Sequence, residues 1–356
     1  MRRLILVAGS GRSGTSLMTS TLRELGFHVP QPEVVADETN PKGFGEPRWV
    51  VDFHSRLLKD AGKVRIADAD PHARERVVAL NQDPEIRAEL QQWLDGEFGV
   101  GERVLIKDPR LLWFLPLWEA AGVAAGATVG VVTMLRHPAE VVRSKLVWYS
   151  HIPDTEASAL AGWVNSSLEA EASTLHLTRK HLLFTDLQQD WRSQVAVLAE
   201  TFGMPELSDA VETGGAAVDA LYDSHLHRSK AEWDDIDVPA ELLSIAETLW
   251  DELVRVDSGG AESQQVLAEC RERYAAFYAQ AESITHSNTA FHLRPLKRSV
   301  RQLTHQNEAL KENLAARRAE LKEARRALRE ANKDAGSGHG VGASLKSAAR
   351  RLKHRK

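Results

Sequence analysis

Short apolar runs and helical stretches alternate along the first two hundred residues. Arg3-Leu-Ile-Leu-Val-Ala8 turns apolar after its first residue and is closed by glycine, the pattern of a strand buried on both faces. Three more runs read the same way. They are Arg103-Val-Leu-Ile-Lys107, broken by Asp108-Pro109; Thr128–Leu135, ended by Arg136-His-Pro138; and His181–Thr185. Between them, Thr15–Gly26 carries Leu17, Met18, Leu22 and Leu25 on one helical face, with Gly26 as its stop. Trp191–Phe202 reads as a further helix, and Pro138 suits a helix's first turn. Strands that alternate with helices predict a parallel sheet covered on both faces. Residues 28–60 and 205–240, rich in Pro, Gly, Trp and charge, read as irregular or partly helical excursions that cover a site, and 257–263 as a connector.

From Leu296 to Ala331 the pattern changes. Leu296, Val300, Leu303, Leu310, Leu314, Leu321 and Leu328 follow alternating four- and three-residue steps, a heptad repeat with Asn307 at an a position and Arg317 as a fault at d. This predicts a coiled coil and a homodimer, with a single solvated helix as the alternative. Residues 335–343, with several Gly and Ser, break the helix, and a basic end follows to Lys356.

The net charge of −5 is unevenly spread. From Leu296 onward 17 Lys/Arg face 6 Asp/Glu, which leaves 28 against 44 in the acidic remainder. The basic tail is a candidate for peripheral contact with anionic membrane, or simply a solvated end. One cysteine, Cys270, excludes an internal disulfide and a multi-cysteine metal site, and points to a reducing, cytoplasmic setting. No secretory signal and no run long enough to span a bilayer are read.

The candidate chemistry starts at Gly9-Ser-Gly-Arg-Ser-Gly-Thr-Ser16, between a strand and a helix. Glycines let successive amides point at one anion, and the helix start adds positive potential. Gly9, Gly14 and Ser16 fit the Walker pattern, but Thr15 stands where its lysine belongs and the cation sits at Arg12. One cation inside the loop suits a phosphosulfate better than a triphosphate. Arg136, ending the third strand, and Ser144, eight residues on, form a second candidate anion grip.

These motifs resemble the 3′-phosphoadenosine-5′-phosphosulfate (PAPS)-dependent sulfotransferases, particularly the bacterial branch with carbohydrate and small-molecule acceptors. The likeness covers roughly residues 3–230. It implies a P-loop-like three-layer α/β fold with a central parallel sheet in residues 1–290, to which the heptads add a coiled-coil helix (291–334) and a flexible basic tail (335–356). It implies that Gly11, Arg12, Ser13, Gly14, Thr15 and Ser16 hold the 5′-phosphosulfate, and Arg136 and Ser144 the 3′-phosphate. It also implies that PAPS is the co-substrate, that no metal is needed, and that the acceptor is a hydroxyl on a sugar or glycolipid. Many members carry lysine where Arg12 stands. The glycine-rich C-terminal nucleotide loop of the animal enzymes has no match; His227-Arg-Ser229 is expected to replace part of it, with Arg228 on the nucleotide.

Three residues are candidates for the transfer step: Arg12 and Lys107 for developing charge, and Glu46 as general base. Glu46, near Phe44 and Trp49, is expected to be desolvated and so raised in pKa, with His28 and His54 as rival bases. Trp49, Trp148, Tyr149 and Trp163 are candidate stacking faces for a sugar. Two other classes stay open: a P-loop-type nucleotide kinase, and a non-catalytic coiled-coil adaptor with a degenerate loop.

Overall fold

A computed structural model describes residues 1–38, 40, 43–149, 154–222, 230–255 and 261–336. Arg228 and the basic end from residue 337 lie outside the described residues, as does most of the connector expected at 257–263. The chain divides into two compact units, Met1–Ala281 and Glu282–Lys356.

The first unit is built on four parallel strands: β1 (Arg3–Ala8), β2 (Arg103–Lys107), β3 (Thr128–Leu135) and β4 (Thr178–Leu183), in the order β2-β1-β3-β4. β1 lies at the centre because it is apolar on both faces. Leu4, Leu6 and Ala8 join one core with Val104, Ile106 and Val131. Ile5 and Val7 join another with Leu105, Val132 and Met134. The first core is closed by α2 (Arg48–Asp60), α3 (Ala73–Asn81), α4 (Pro84–Val100) and α5 (Leu115–Ala124). The second is closed by α1 (Thr15–Glu24), α9 (Trp191–Thr201) and α10 (Glu206–Asp219). Helices therefore cover both faces, as the alternation of elements predicts.

A third core gathers α6 (Pro138–Trp148), α7 (Glu156–Thr174), α11 (Ala240–Arg255) and the start of α12 (Ala261–Gly336). The short α8 (Phe184–Gln189) follows β4 directly. α1 ends where its glycine predicts: Gly26 adopts φ 87°, and Phe27 N–H bonds back to the Leu22 carbonyl.

β4 starts and ends earlier than the sequence suggests. It opens with Thr178-Arg-Lys-His181, a polar stretch for a strand. As an edge strand it meets one neighbour, and its polar side chains find partners on α7: Arg179 and His181 both bond Glu171, at 2.8 and 2.7 Å. The excursions are partly helical, as the sequence suggests, with α2 in the first and α10 in the second.

The second unit contains the remainder of α12, one continuous helix through residue 336. Pro295 lies within it, at the cost of one ladder hydrogen bond.

Lys145, on α6, is a strained feature of the third core's rim. Its ammonium nitrogen is buried with no hydrogen-bond partner among the described residues. Burial, together with nearby Arg65, outweighs the attraction of Asp154 and pushes it down to about 8 from 10.5. The unfolded chain then binds more protons than the folded one between those two values, so stability rises with pH across that window. Lys145→Met is expected to stabilise the protein by ~1–3 kcal/mol at pH 7 and to flatten that rise. Thermal melts of both proteins from pH 7 to 10.5 check this.

Candidate active site

The loop Gly9–Gly14 sits at the carboxyl end of β1. Arg136 follows the carboxyl end of the adjacent strand β3, with Ala8 and Thr133 in register. From β1 the chain passes to β2 on one side of the sheet, then returns to β3 on the other. The crevice between β1 and β3 is therefore a topological switch point, where open α/β sheets bind ligands.

The turn is sterically forced. Gly9 and Gly14 take φ 139° and 86°, which L side chains rarely adopt. A Cβ at Gly14 would run into the Phe184 ring, and one at Gly9 would come within 2.7 Å of the Met134 carbonyl. Gly11, by contrast, has open space where a Cβ would be. Arg12 is itself left-handed, with φ 77°, a strained setting for a non-glycine residue. Ser13 and Thr15 are buried, and Gly14 at the start of α1 gives that helix no side-chain cap.

Both expected grips meet here. Arg12 Nε donates to Ser144 Oγ at 3.1 Å, and its guanidinium lies 5.7 Å from the Trp148 ring. Arg136 Nη1 donates to the Arg12 carbonyl at 3.2 Å. Its Nε bonds Glu140 at 2.6 Å, and its guanidinium stands 5.0 Å from the Phe184 ring. Phe184 and Glu140 were not singled out in the sequence. Phe184 had a signal: it directly follows an apolar strand end, where a side chain faces the crevice. Glu140 follows from its place one helical turn after Arg136.

On the other flank, Ser16 Oγ bonds the Phe44 carbonyl at 3.0 Å, accepts from Asn40 at 3.2 Å, and lies 3.4 Å from Lys107 Nζ. Lys107 in turn pairs with Glu46 at 2.5 Å, both side chains buried. The three expected catalytic residues thus border one loop, Arg12 on one side and Lys107 with Glu46 on the other. The expected apolar wall around Glu46 is corrected. Its carboxylate faces an ammonium, while Trp49 stacks between Phe53 and Trp93, with ring centroids 4.8 and 4.3 Å away.

The two rival histidines have other partners. His28 bonds Glu97 and pairs with the start of β2, at the opposite end of the sheet from the loop. His54 is fully buried: Trp118 Nε1–H donates to its Nε2 at 2.8 Å, which leaves Nδ1–H to donate to Asp108 at 3.1 Å. Both nitrogens are committed. Burial works against the Asp108 charge, but hydrogen bonds from His54 and Arg110 more than offset it and hold the carboxyl below its usual range. This cluster anchors the turn after β2 and so fixes Lys107. Among the stacking candidates, Trp163 is core and Trp148 lies beside Arg12.

No family model and no curated protein matches the sequence. Among solved structures, the sulfotransferase domain of the Synechococcus PCC 7002 olefin synthase is similar at 17% identity. That match covers 77% of this chain and 96% of that one, with a TM-score of 0.37. The sulfotransferase domain from the curacin biosynthetic pathway is similar at 16% identity, over 71% and 98%, with a TM-score of 0.40. Backbones this divergent transfer no residue roles.

The Glu46–Lys107 pair gives a direct test of the site's electrostatics. Lys107→Met strands a buried carboxylate and is expected to cost ~3 kcal/mol, whereas Lys107→Met with Glu46→Gln recovers most of that loss. Urea unfolding of the two single variants and the double variant measures the coupling. Additive losses would mean that the two side chains do not pair.

Proposed function

We propose that this protein transfers a sulfuryl group from PAPS to a hydroxyl acceptor, a sugar or glycolipid being the expected class. The observation that carries the reading is the contact between Arg12 and Ser144, which joins the phosphate loop to the second anion grip at the β1/β3 crevice. One nucleotide with phosphate groups on both sides of its ribose fits two such neighbouring grips. Gly11 to Ser16 would hold the 5′ end, and Arg136 and Ser144 the 3′-phosphate; the same reading gives Arg228 a contact with the nucleotide.

Transfer forms a bond from sulfur to the acceptor oxygen and breaks the bond from sulfur to the bridging oxygen. Negative charge collects on the departing phosphate, and the acceptor loses a proton. Arg12 would stabilise that charge from within the loop, and Lys107 from its flank. Glu46 is the remaining candidate to take the proton. Its ion pair with Lys107 ties the two roles together.

The kinase alternative is disfavoured by Lys107. In a P-loop kinase the hydroxyl at Ser16 helps bind Mg²⁺. Here an ammonium lies 3.4 Å from that oxygen and would repel a divalent cation. A second reading of Arg136 has its own support. Its Nε and Nη1 are engaged by Glu140 and the Arg12 carbonyl, so it also acts as a brace for the loop.

Calorimetry without Mg²⁺ tests both points. Adenosine 3′,5′-bisphosphate is expected to bind at least tenfold more tightly than AMP, and more tightly than ATP. Ser144→Ala should weaken the bisphosphate by ~1–2 kcal/mol and leave AMP within about twofold. Arg136→Ala should weaken the bisphosphate selectively if it contacts the 3′-phosphate, and both nucleotides equally if it is a brace. A bisphosphate that binds no better than AMP removes the sulfotransferase reading.

A further inference from the structure

We propose that the exposed seam of α12 between Leu293 and Leu328 binds a second copy of this chain as a parallel, in-register, two-stranded coiled coil. The apolar residues of this seam, Leu303, Leu310, Leu314, Leu321 and Leu328 among them, are 39–67% exposed. A row of leucines along one face of a helix has no reason to face water unless another surface covers it. The heptad frame places Leu293, Val300, Leu314, Leu321 and Leu328 at a, and Leu296, Leu303 and Leu310 at d. A β-branched residue at a followed by leucine at d favours two strands, as at Val300 and Leu303.

Charge then selects both the partner and its direction. The e positions hold Lys297, Thr304, Lys311, Arg318 and Arg325; the g positions hold Ser299, Gln306, Asn313, Glu320 and Ala327. In a parallel pair, each g residue meets the e residue five places later on the other helix. Two copies of this chain then set Gln306 beside Lys311, Asn313 beside Arg318 and Glu320 beside Arg325, with no like-charge contact. In an antiparallel pair, e faces e, and the four cations of one copy oppose those of the other. Register is set by Asn307 at an a position. Only parallel, unstaggered copies bring the two Asn307 amides together; a one-heptad shift buries one against Leu314 and the other against Val300.

The fault at d is relieved locally. Arg317 pairs with Glu320 on its own helix, 3.0 Å away, and its aliphatic stem can fill the d layer of a pair. Pro295 takes a c position, on the side away from the seam.

Sedimentation and cross-linking of the full chain test the proposal, which is independent of the nucleotide reading. At about 50 µM the protein should show twice its 39.5 kDa mass, and Leu310→Glu with Leu314→Glu should halve that mass while leaving the far-UV spectrum of the fold in place. In a Cys270→Ala background, Leu303→Cys should form a disulfide-linked dimer on oxidation, because identical d positions face each other only in the parallel, in-register arrangement. A monomer at this concentration, a dimer that survives the two glutamates, or a Leu303→Cys dimer that does not cross-link would each overturn it.

Discussion

The hydrogen bonds that pass between the loop after β1 and the residues after β3 hold the site together. Arg136 donates to the carbonyl of Arg12, and Arg12 donates through its own side chain to Ser144. Each residue thus fixes one on the opposite side of the β1/β3 crevice. The arrangement exists because β1 and β3 are neighbours in the sheet, although more than a hundred residues separate them. Reversal of the chain's direction of travel at this point opens the crevice that both loops line. Phe184, the first residue of α8, completes it: its ring lies against Gly14 on one side and the Arg136 guanidinium on the other.

Buried charge surrounds this crevice, and two clusters handle it differently. Asp108 is saturated by His54 and Arg110, and His54 by Trp118, so the group is inert and serves to set the turn after β2. Glu46 and Lys107 form a pair whose ammonium also reaches the loop hydroxyl of Ser16. A buried ion pair is a poor source of stability compared with apolar packing, because desolvation consumes most of the attraction. Under the proposed function, its position beside the Gly9–Gly14 loop gives it a chemical use instead.

Much of this was legible in the sequence where the determinants are local. Strands β1 to β3 stand out because both of their faces are buried, so apolar residues run without alternation. The glycine loop and Arg136 stand out because strand ends in this architecture are punctuated by Gly or Pro. β4 was misplaced because an edge strand tolerates Arg179 and His181, whose partner Glu171 lies on another element. Helices α3 and α4 were not read, since their contacts come from the third dimension rather than from a strong periodic face. Pairings such as Glu46 with Lys107, or Trp118 with His54, join residues about sixty apart and cannot be read from spacing. For that reason His54 looked like a candidate base, when its two nitrogens are both engaged in the core.

A crystal structure of the protein with adenosine 3′,5′-bisphosphate tests the central claim most directly. The 5′-phosphate is expected within hydrogen-bond reach of the amides of Gly11 to Ser16, and the 3′-phosphate within reach of Ser144 and the Arg136 guanidinium. Density for the bisphosphate away from the β1/β3 crevice, or bound with its 3′-phosphate far from both residues, would contradict it.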